Sequence, residues 1–257
     1  MKYINKNTLS TIFTHMEKNL SMPTPPVTIL GYHSISDDKT IVDIHPYMFQ
    51  RQLSFLKKNF QFISLDSVIK YINGEQTFSR PAVALTFDDG YSDVYKTVAP
   101  LLAKDNIPAG IFVLTNPTKA NRSELENDKK LMSIKEIKHL QNLGWTIGCH
   151  GATHAKLTDK QINLEKEIIL SKKQLEKELL ASIKYFAYPK GIYNRQVIAK
   201  VKKAEFTAAF TFKTGFITHK TNLYTIPRSP VDWTHTMEQF KAFFTNWGKY
   251  YLSKKYE

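Results

Sequence analysis

Short apolar runs that alternate with helical patterns limit the possible folds of this chain more than any other feature. Runs of this length, bounded by turn residues, are typical of buried strands, and the longer segments between them can form the helical crossovers that parallel strands require. At 257 residues the chain is long enough to form one α/β barrel. We therefore predict an α/β fold, a distorted (β/α) barrel of about seven parallel strands. The predicted strands are Val27–Tyr32, 62–65, Ala82–Phe87, 110–114, Thr146–Cys149, 185–188 and 208–212.

Residues 1–26 differ from the rest of the chain because they are polar and end in Met-Pro-Thr-Pro-Pro, a composition typical of a linker. We predict an N-terminal arm or linker over residues 1–26 and one folded domain over residues 27–257. No apolar stretch approaches the roughly 18 residues that span a bilayer. Residues 1–26 also lack the apolar core and cleavage site of a secretion signal. The sequence thus predicts neither a transmembrane segment nor a signal peptide.

Three hydroxyl residues, each followed three positions later by Glu or Gln, predict helix starts. The pairs are Ser133 with Glu136, Thr158 with Gln161, and Thr236 with Gln239. The helix after Ser133 is predicted to end near Asn142, because Gly144 can adopt the left-handed conformation that ends helices. Aromatic residues at helical spacing near the C-terminus are interpreted as core packing rather than as a ligand platform: Phe240, Phe243, Phe244, Trp247, Tyr250 and Tyr251.

Basic residues outnumber acidic ones, with 36 Lys and Arg against 23 Asp and Glu and a net charge of +13. Such an excess favours contact with an anionic partner, such as a polymer or lipid of the cell surface. The basic residues occur in scattered pairs, at 57–58, 129–130, 172–173, 202–203 and 254–255. We interpret these pairs as a solvated surface and predict no nucleic-acid partner.

Two adjacent carboxylates follow a predicted buried strand, in the segment Thr86-Phe87-Asp88-Asp89-Gly90. Asp-Gly ends many strands because both residues tolerate turn conformations, so an ordinary turn is the alternative interpretation. Close carboxylates repel each other unless a cation or a proton is shared between them. A metal bound by one carboxylate and a proton handled by the other would remove that repulsion.

Two histidines four positions apart follow another predicted strand, in Cys149-His150-Gly-Ala-Thr-His154. Cys149 is the one cysteine of the chain, which excludes a multi-cysteine zinc cluster. The small residues between the histidines allow both rings to face one point. Together with a carboxylate they would give a divalent metal two nitrogen ligands and one oxygen ligand, with a coordination position left for water.

The two segments together resemble the first two motifs of the polysaccharide deacetylase family, also known as the NodB-homology or carbohydrate esterase family 4 domain. The resemblance implies that Asp88 is the general base. It also implies that Asp89, His150 and His154 hold a divalent metal, with zinc expected and cobalt, nickel, manganese or iron as alternatives. The implied substrate is an N-acetylated polysaccharide.

A third segment, Phe186-Ala-Tyr188-Pro189-Lys190-Gly, resembles the family motif that lines the substrate groove. The resemblance implies that Tyr188 and Pro189 lie against the substrate and that the Lys190 backbone N–H binds the oxyanion. The segment departs from the family pattern because Ala187 stands where an arginine would orient the base. Without the other motifs, a plain turn would be the better interpretation.

The third segment, the run Gly31-Tyr-His33-Ser-Ile and the run Ile226-Pro-Arg228 resemble one branch of the family. This branch deacetylates poly-β-1,6-N-acetylglucosamine in biofilm matrices, and its barrel is circularly permuted. The resemblance implies that His33 is the catalytic acid and that Arg228 replaces the missing arginine beside Asp88. A core histidine and a structural ion pair are the respective alternatives.

The sequence therefore predicts a metal-dependent N-deacetylase that releases acetate from an N-acetylglucosamine polysaccharide. Two alternatives remain: a carbohydrate-binding or cell-surface-binding module of the same fold with a weakened site, and a glycoside hydrolase with paired carboxylates. The resemblance implies an extracytoplasmic or cell-surface location, and a cytoplasmic location is the alternative. Asp232 and Trp233 resemble a further family motif, but their spacing differs, and they stay outside the predicted site.

Overall fold

A computed structural model describes residues 26–38, 40, 42–119, 129–246 and 248. The strands are β1 Val27–Tyr32, β2 Gln61–Phe62, β3 Ala82–Phe87, β4 Ala109–Val113, β5 Thr146–Cys149, β6 Tyr185–Ala187, β7 Ala208–Phe210 and β8 Ser229–Pro230. The α-helices are α1 Pro46–Asn59, α2 Leu65–Ile72, α3 Ala99–Ala103, α4 Ile134–Asn142, α5 Ser171–Leu179, α6 Arg195–Lys203 and α7 Met237–Ala242. π-Helical segments Val94–Val98 and Glu165–Leu170 lead into α3 and α5.

The strands form one parallel sheet in the order β7-β6-β5-β4-β3-β1-β8, and β2 pairs with the first residues of β3. The predicted α/β fold with a parallel sheet is confirmed. β1 lies directly beside β3 although α1, β2 and α2 separate them in sequence. The residues that follow β1 and β3 therefore emerge side by side at the carboxyl edge of the sheet.

The segment from Ile226 to Pro230 pairs with β7 at one end and with β1 at the other, and thereby curls the sheet. Ile226 pairs with Phe210 of β7, and four residues later Pro230 of β8 pairs with Gly31 of β1. The Val231 backbone N–H extends the second pairing by donating to the Gly31 carbonyl at 2.9 Å. Arg228 lies between these two pairings and thus at the seam of the barrel.

The alternation of side chains along β3 separates two apolar clusters. Ala82 and Ala84 belong to the cluster inside the barrel, together with Phe112 of β4. Val83, Leu85 and Phe87 belong to the larger cluster that the helices cover. Since successive strand residues point to opposite faces, Thr86 and Asp88 continue the inner row. A buried strand thereby places a carboxylate at the mouth of the barrel.

Six of the seven predicted strands match observed strands to within two residues at either end, but the prediction for 62–65 is wrong. The observed strand β2 ends at Phe62, and Leu65 begins α2. The Ser64 side chain accepts a hydrogen bond from the Ser67 backbone N–H at 3.2 Å. This cap starts a helix where the apolar pattern alone favoured a strand.

Capping boxes at Ser133 and Thr236 are confirmed, and the helix after Ser133 ends at Asn142 as predicted. The predicted start at Thr158 is wrong because residues 158–162 form turns and the helical segment begins later. There the Asn163 side chain accepts from the Lys166 backbone N–H at 3.1 Å. Phe240, Phe243 and Phe244 are buried as predicted, whereas Trp247, Tyr250, Tyr251 and the arm over residues 1–25 lie outside the described residues.

Two lysines that were assigned to a solvated surface are buried instead. The Lys129 ammonium lies 2.6 Å from Asp43 and 2.7 Å from Asp38. The Lys172 ammonium donates to the carbonyls of Ala204 and Glu205, both at 2.9 Å, just beyond the C-terminus of α6. A lysine pair in the sequence does not reveal such partners because each partner comes from a distant segment.

Within the described part of the chain, no helix combines the length and the apolar content needed to cross a bilayer.

Gly148→Ala tests the packing inside the barrel. An added Cβ would overlap the Phe112 ring and lie 3.2 Å from the Tyr185 carbonyl oxygen. We expect the free energy of unfolding to fall by about 1–3 kcal/mol, the usual cost of overpacking a core. Urea unfolding followed by circular dichroism measures it.

The matched control is Ser182→Ala on the exposed surface, which should change stability by no more than about 0.5 kcal/mol. Equal stabilities of the Gly148 and Ser182 variants would contradict the packing described here.

Candidate active site

The carboxyl ends of β3 and β5 bring the predicted residues together. Asp88 and Asp89 follow β3, and His150 follows β5. The Asp88 backbone N–H donates to the Tyr32 carbonyl at 2.9 Å, and the His150 backbone N–H donates to the Val113 carbonyl at 2.9 Å. These bonds extend the sheet by one residue past each strand, so the side chains start from fixed backbone positions.

A left-handed turn redirects the second carboxylate. Neighbours along a strand point to opposite faces, which would place Asp88 and Asp89 apart. Asp89 instead has φ +68° and Gly90 has φ +81°, a conformation that Asp and Gly tolerate better than most residues. The turn brings the Asp89 carboxylate to the same place as Asp88. The Asp-Gly pair in the sequence predicted a turn but not this consequence.

Asp89, His150 and His154 form a set that could hold a metal. Their ligand atoms lie within 4.8 Å of one another, and all three residues are buried. Asp89 Oδ1 lies 3.4 Å from His150 Nε2 and 3.6 Å from His154 Nε2. Two ligand atoms that each lie about 2.1 Å from a zinc ion are separated by roughly 3.4 Å at the tetrahedral angle. The observed spacing therefore fits a small divalent cation.

Both histidines are neutral, as metal ligands must be. Burial lowers the pKa of His150, and burial together with the neighbouring His150 lowers the pKa of His154 to about 2. His150 Nδ1 lies 2.9 Å from the Ala187 carbonyl oxygen. Since a carbonyl only accepts, Nδ1 carries the proton and Nε2 presents its lone pair toward Asp89.

Asp88 is held by Arg228 in a bidentate ion pair. The guanidinium NH1 donates to Asp88 Oδ1 and NH2 donates to Oδ2, both at 2.7 Å. Burial raises the pKa of Asp88, but the charge of Arg228 and its hydrogen bonds to the carboxylate outweigh burial, and the net pKa lies below its usual value. The carboxylate is therefore ionised and oriented, with Oδ2 3.8 Å from His150 Nε2.

Arg228 is itself fixed on every side. Its Nε donates to the Thr211 carbonyl at 3.2 Å, and NH1 also donates to the Thr86 hydroxyl at 3.1 Å. The guanidinium carbon lies 4.3 Å from the centroid of the Phe212 ring. The structure thus places Arg228 directly beside Asp88.

His33 lies beside the same aromatic residue. Its ring stacks on Phe212 with a centroid distance of 5.1 Å. Burial lowers the pKa of His33 to about 4, although the nearby Asp88 acts in the opposite direction. His33 is therefore neutral at pH 7. The sequence analysis missed Phe212, which contacts both His33 and Arg228.

The third motif forms a short 3-10 turn, Pro189–Gly191. Tyr188 is fully buried, and its hydroxyl donates to the Tyr224 carbonyl at 2.9 Å. Lys190 adopts φ +60°, and its charge acts on His154. The Lys190 charge is therefore near enough to act on His154, whereas Tyr188 and Pro189 are buried.

Glu167 is a further residue that the sequence analysis missed. Its carboxylate accepts hydrogen bonds from the loop between His150 and His154, at the Ala152 and Thr153 backbone N–H groups and the Thr153 hydroxyl. A buried acidic residue just before the apolar Ile168 and Ile169 was the available signal, but nothing local indicates its partners.

Relatives of known name share this architecture. The chain is 28% identical over 193 residues to the poly-beta-1,6-N-acetyl-D-glucosamine N-deacetylase of Staphylococcus aureus, which covers 70% of this chain and 64% of that protein. The chain therefore spans less than two thirds of that relative's length.

Two solved structures have the same fold. A polysaccharide deacetylase from Bacillus cereus is similar with a TM-score of 0.71 and 26% identity, over 86% of this chain and 70% of that chain. A Streptococcus pyogenes deacetylase solved with acetate gives a TM-score of 0.70 at 21% identity, over 86% of this chain and 98% of that chain.

The match to a family model covers the Asp88-Asp89 and His150–His154 motifs as well as the strands that carry them. The model for polysaccharide deacetylase matches residues 75–209, more than half of the chain. These residues include Asp88, Asp89, His150 and His154, whose geometry is described above. The chain belongs to the polysaccharide deacetylase family.

Proposed function

We propose that this protein is a metal-dependent N-deacetylase that hydrolyses the acetamide groups of an N-acetylglucosamine polysaccharide and releases acetate. The observation that carries the proposal is the convergence of Asp89, His150 and His154 beside an ionised Asp88. Poly-β-1,6-N-acetylglucosamine is the preferred substrate because the Staphylococcus aureus relative carries that name.

Asp89, His150 and His154 hold the metal in this proposal, with zinc expected from two imidazoles and one carboxylate. A bound divalent metal would lower the pKa of a water molecule toward about 7 and polarise the acetyl carbonyl. The buried position of the ligands favours tight binding, since they exchange little hydration on binding the cation.

Asp88 acts as the general base. Its carboxylate takes a proton from the attacking water as the new C–O bond forms, and Arg228 keeps that carboxylate ionised and oriented beforehand. The Lys190 backbone N–H donates to the oxyanion, a contribution worth roughly 3 kcal/mol. The C–N bond then breaks, and the leaving amine receives a proton from His33.

The low pKa of His33 defines how it can act. A histidine with a pKa of about 4 carries no proton to spare at pH 7 before the reaction starts. In the proposed mechanism the proton that Asp88 takes from the water is passed to His33 during turnover and from His33 to the amine, so that both residues return to their starting states.

The glycoside hydrolase alternative fits the geometry poorly. Asp88 Oδ2 and Asp89 Oδ1 lie 3.8 Å and 3.4 Å from the same atom, His150 Nε2. Glycosidic cleavage needs a protonated carboxyl group that faces a second carboxyl group about 5–10 Å away across the bond, whereas Arg228 keeps Asp88 ionised and binds both of its oxygens. Product analysis on an N-acetylglucosamine oligomer tests the proposal: free acetate with an intact chain supports deacetylation, and shortened chains would refute it.

The substrate of this proposal lies outside the cytoplasm or at the cell surface, and we propose the same location for the protein. The net charge of +13 would attract it to anionic polymers or lipids there. The pairing of Arg228 with Asp88 weighs against the alternative of a binding module with a weakened site, because it supplies the partner for the base that Ala187 cannot supply.

Asp88→Asn should keep the metal and lose activity by roughly a hundredfold or more, because an amide cannot act as the base. Acetate release and elemental analysis of the purified variant measure the two properties. Asp105→Asn, a change of the same type at an exposed residue paired with Lys57, serves as the control. Near-normal turnover of the Asp88 variant would remove this residue from the mechanism.

His150→Ala should lose the metal itself, since it removes one of three protein ligands. Elemental analysis after dialysis against metal-free buffer measures the bound metal per chain. His139→Ala, at an exposed histidine on α4, should retain it. Equal metal content in both variants would show that His150 is no ligand.

Arg228→Lys should lower kcat by roughly 10- to 100-fold with metal content unchanged. Lysine keeps the charge but loses the two parallel hydrogen bonds to Asp88, and hydrogen bonds to charged groups are worth about 1.5–3 kcal/mol. Steady-state kinetics compare this variant with Arg51→Lys on the exposed face of α1. A kcat within about threefold of the control would mean that the bidentate pair is purely structural.

A further inference from the structure

Glu167 lies beneath the loop that connects the two histidines. The side chain is 7% exposed. Its Oε2 accepts from the backbone N–H groups of Ala152 and Thr153, both at 3.0 Å, and its Oε1 accepts from the Thr153 hydroxyl at 2.6 Å. Both carboxylate oxygens thus accept hydrogen bonds from one short loop. These bonds are charge-assisted and therefore stronger than hydrogen bonds between neutral groups.

The same loop is held from its other side by backbone groups. The Thr115 N–H donates to the Gly151 carbonyl at 3.2 Å, and the Asn116 N–H donates to the Ala152 carbonyl at 2.9 Å. Glu167 therefore binds N–H groups of the loop, and the residues that follow β4 bind its carbonyl groups.

The loop needs this support because its backbone is unusual. Gly151 has φ +85° and His154 has φ +56°, and a histidine in the left-handed region costs energy that the surroundings must offset. A Cβ at Gly151 would lie 3.3 Å from Glu167 Oε2. The absence of a side chain there lets the carboxylate approach the loop closely.

The two histidines depend on the loop to different degrees. His150 is fixed by sheet pairing through its backbone and by the Ala187 carbonyl through Nδ1. His154 Nδ1 has no hydrogen-bond partner among the described residues. The direction of the His154 ring therefore follows from the backbone conformation that Glu167 holds.

Glu167 is also tied to the end of β5. The Ser171 hydroxyl donates to the Glu167 carbonyl at 2.6 Å and lies 3.3 Å from Cys149 Sγ. The segment that carries the carboxylate is thus fixed relative to the strand that carries His150.

We propose that Glu167 is a positioning residue of the metal centre, which holds the loop so that His154 Nε2 stays within reach of the cation bound by Asp89 and His150. The inference rests on the proposed metal site. It assigns to Glu167 a role in metal affinity, although Glu167 acts only through the loop.

Cobalt binding to the full chain tests this role without a polysaccharide. Metal-free wild type and Glu167→Gln are titrated with Co²⁺, and the visible absorption of the bound ion reports both affinity and coordination. Gln keeps the size of the side chain but loses the negative charge that strengthens the bonds to the two backbone N–H groups, and its NH₂ group replaces the oxygen that accepts from the Thr153 hydroxyl. We expect the Kd for cobalt to rise by roughly 10- to 100-fold, the usual effect of losing a partner that orients metal ligands, with a changed absorption spectrum.

Glu165→Gln is the matched control, because Glu165 lies in the same π-helical segment and pairs with Lys200 at the surface. Its Kd and spectrum should equal those of wild type. Thermal unfolding of the metal-free proteins shows whether each variant folds. If Glu167→Gln does not fold, Thr153→Val removes one of the three loop bonds and should raise the Kd by about tenfold.

Two results would overturn the proposal, and they differ. A folded Glu167 or Thr153 variant with wild-type Kd and spectrum would show that the loop holds its shape without this carboxylate, and the metal site would stand. Wild type that binds no cobalt would refute the metal site, the proposed function and the role of Glu167 together.

Discussion

The buried ion pair between Asp88 and Arg228 connects the fold of this protein to its chemistry. Asp88 extends the central strand β3, and Arg228 lies in the segment that joins β7 to β1. A buried carboxylate or guanidinium without its partner would be strongly unfavourable. One interaction therefore connects the barrel seam to the orientation of the Asp88 carboxylate. The aromatic face of Phe212 completes the enclosure of the guanidinium and also supports His33.

Burial affects Asp88 and the two neighbouring histidines differently, since it leaves Asp88 ionised and the histidines neutral. Asp88 is ionised because Arg228 compensates its charge, whereas His150 and His154 are neutral because no comparable partner offsets their burial. An ionised carboxylate and two neutral imidazoles thus lie a few ångströms apart. This combination is what metal-assisted hydrolysis requires, and it results from which side chains the left-handed turn at Asp89 brings together.

The sequence predicted the features that depend on neighbouring residues. Short apolar runs located β1, β3 and β5, and motifs at the ends of β3 and β5 located the carboxylates and histidines. Features that depend on distant partners were less accessible. Asp88 and Arg228 are 140 positions apart, so only a family resemblance suggested the pair. No family resemblance indicated the loop contacts of Glu167 or the burial of Lys129. At Ser64, a helix cap started a helix where the apolar pattern favoured a strand.

X-ray absorption spectroscopy of the protein loaded with one equivalent of zinc tests the central claim most directly. The account predicts one zinc ion per chain, with two imidazole nitrogens and carboxylate oxygen in its coordination shell at about 2.0–2.2 Å. A spectrum without imidazole scattering, or zinc that dialysis removes completely from the wild-type protein, would contradict the claim that Asp89, His150 and His154 bind a common cation.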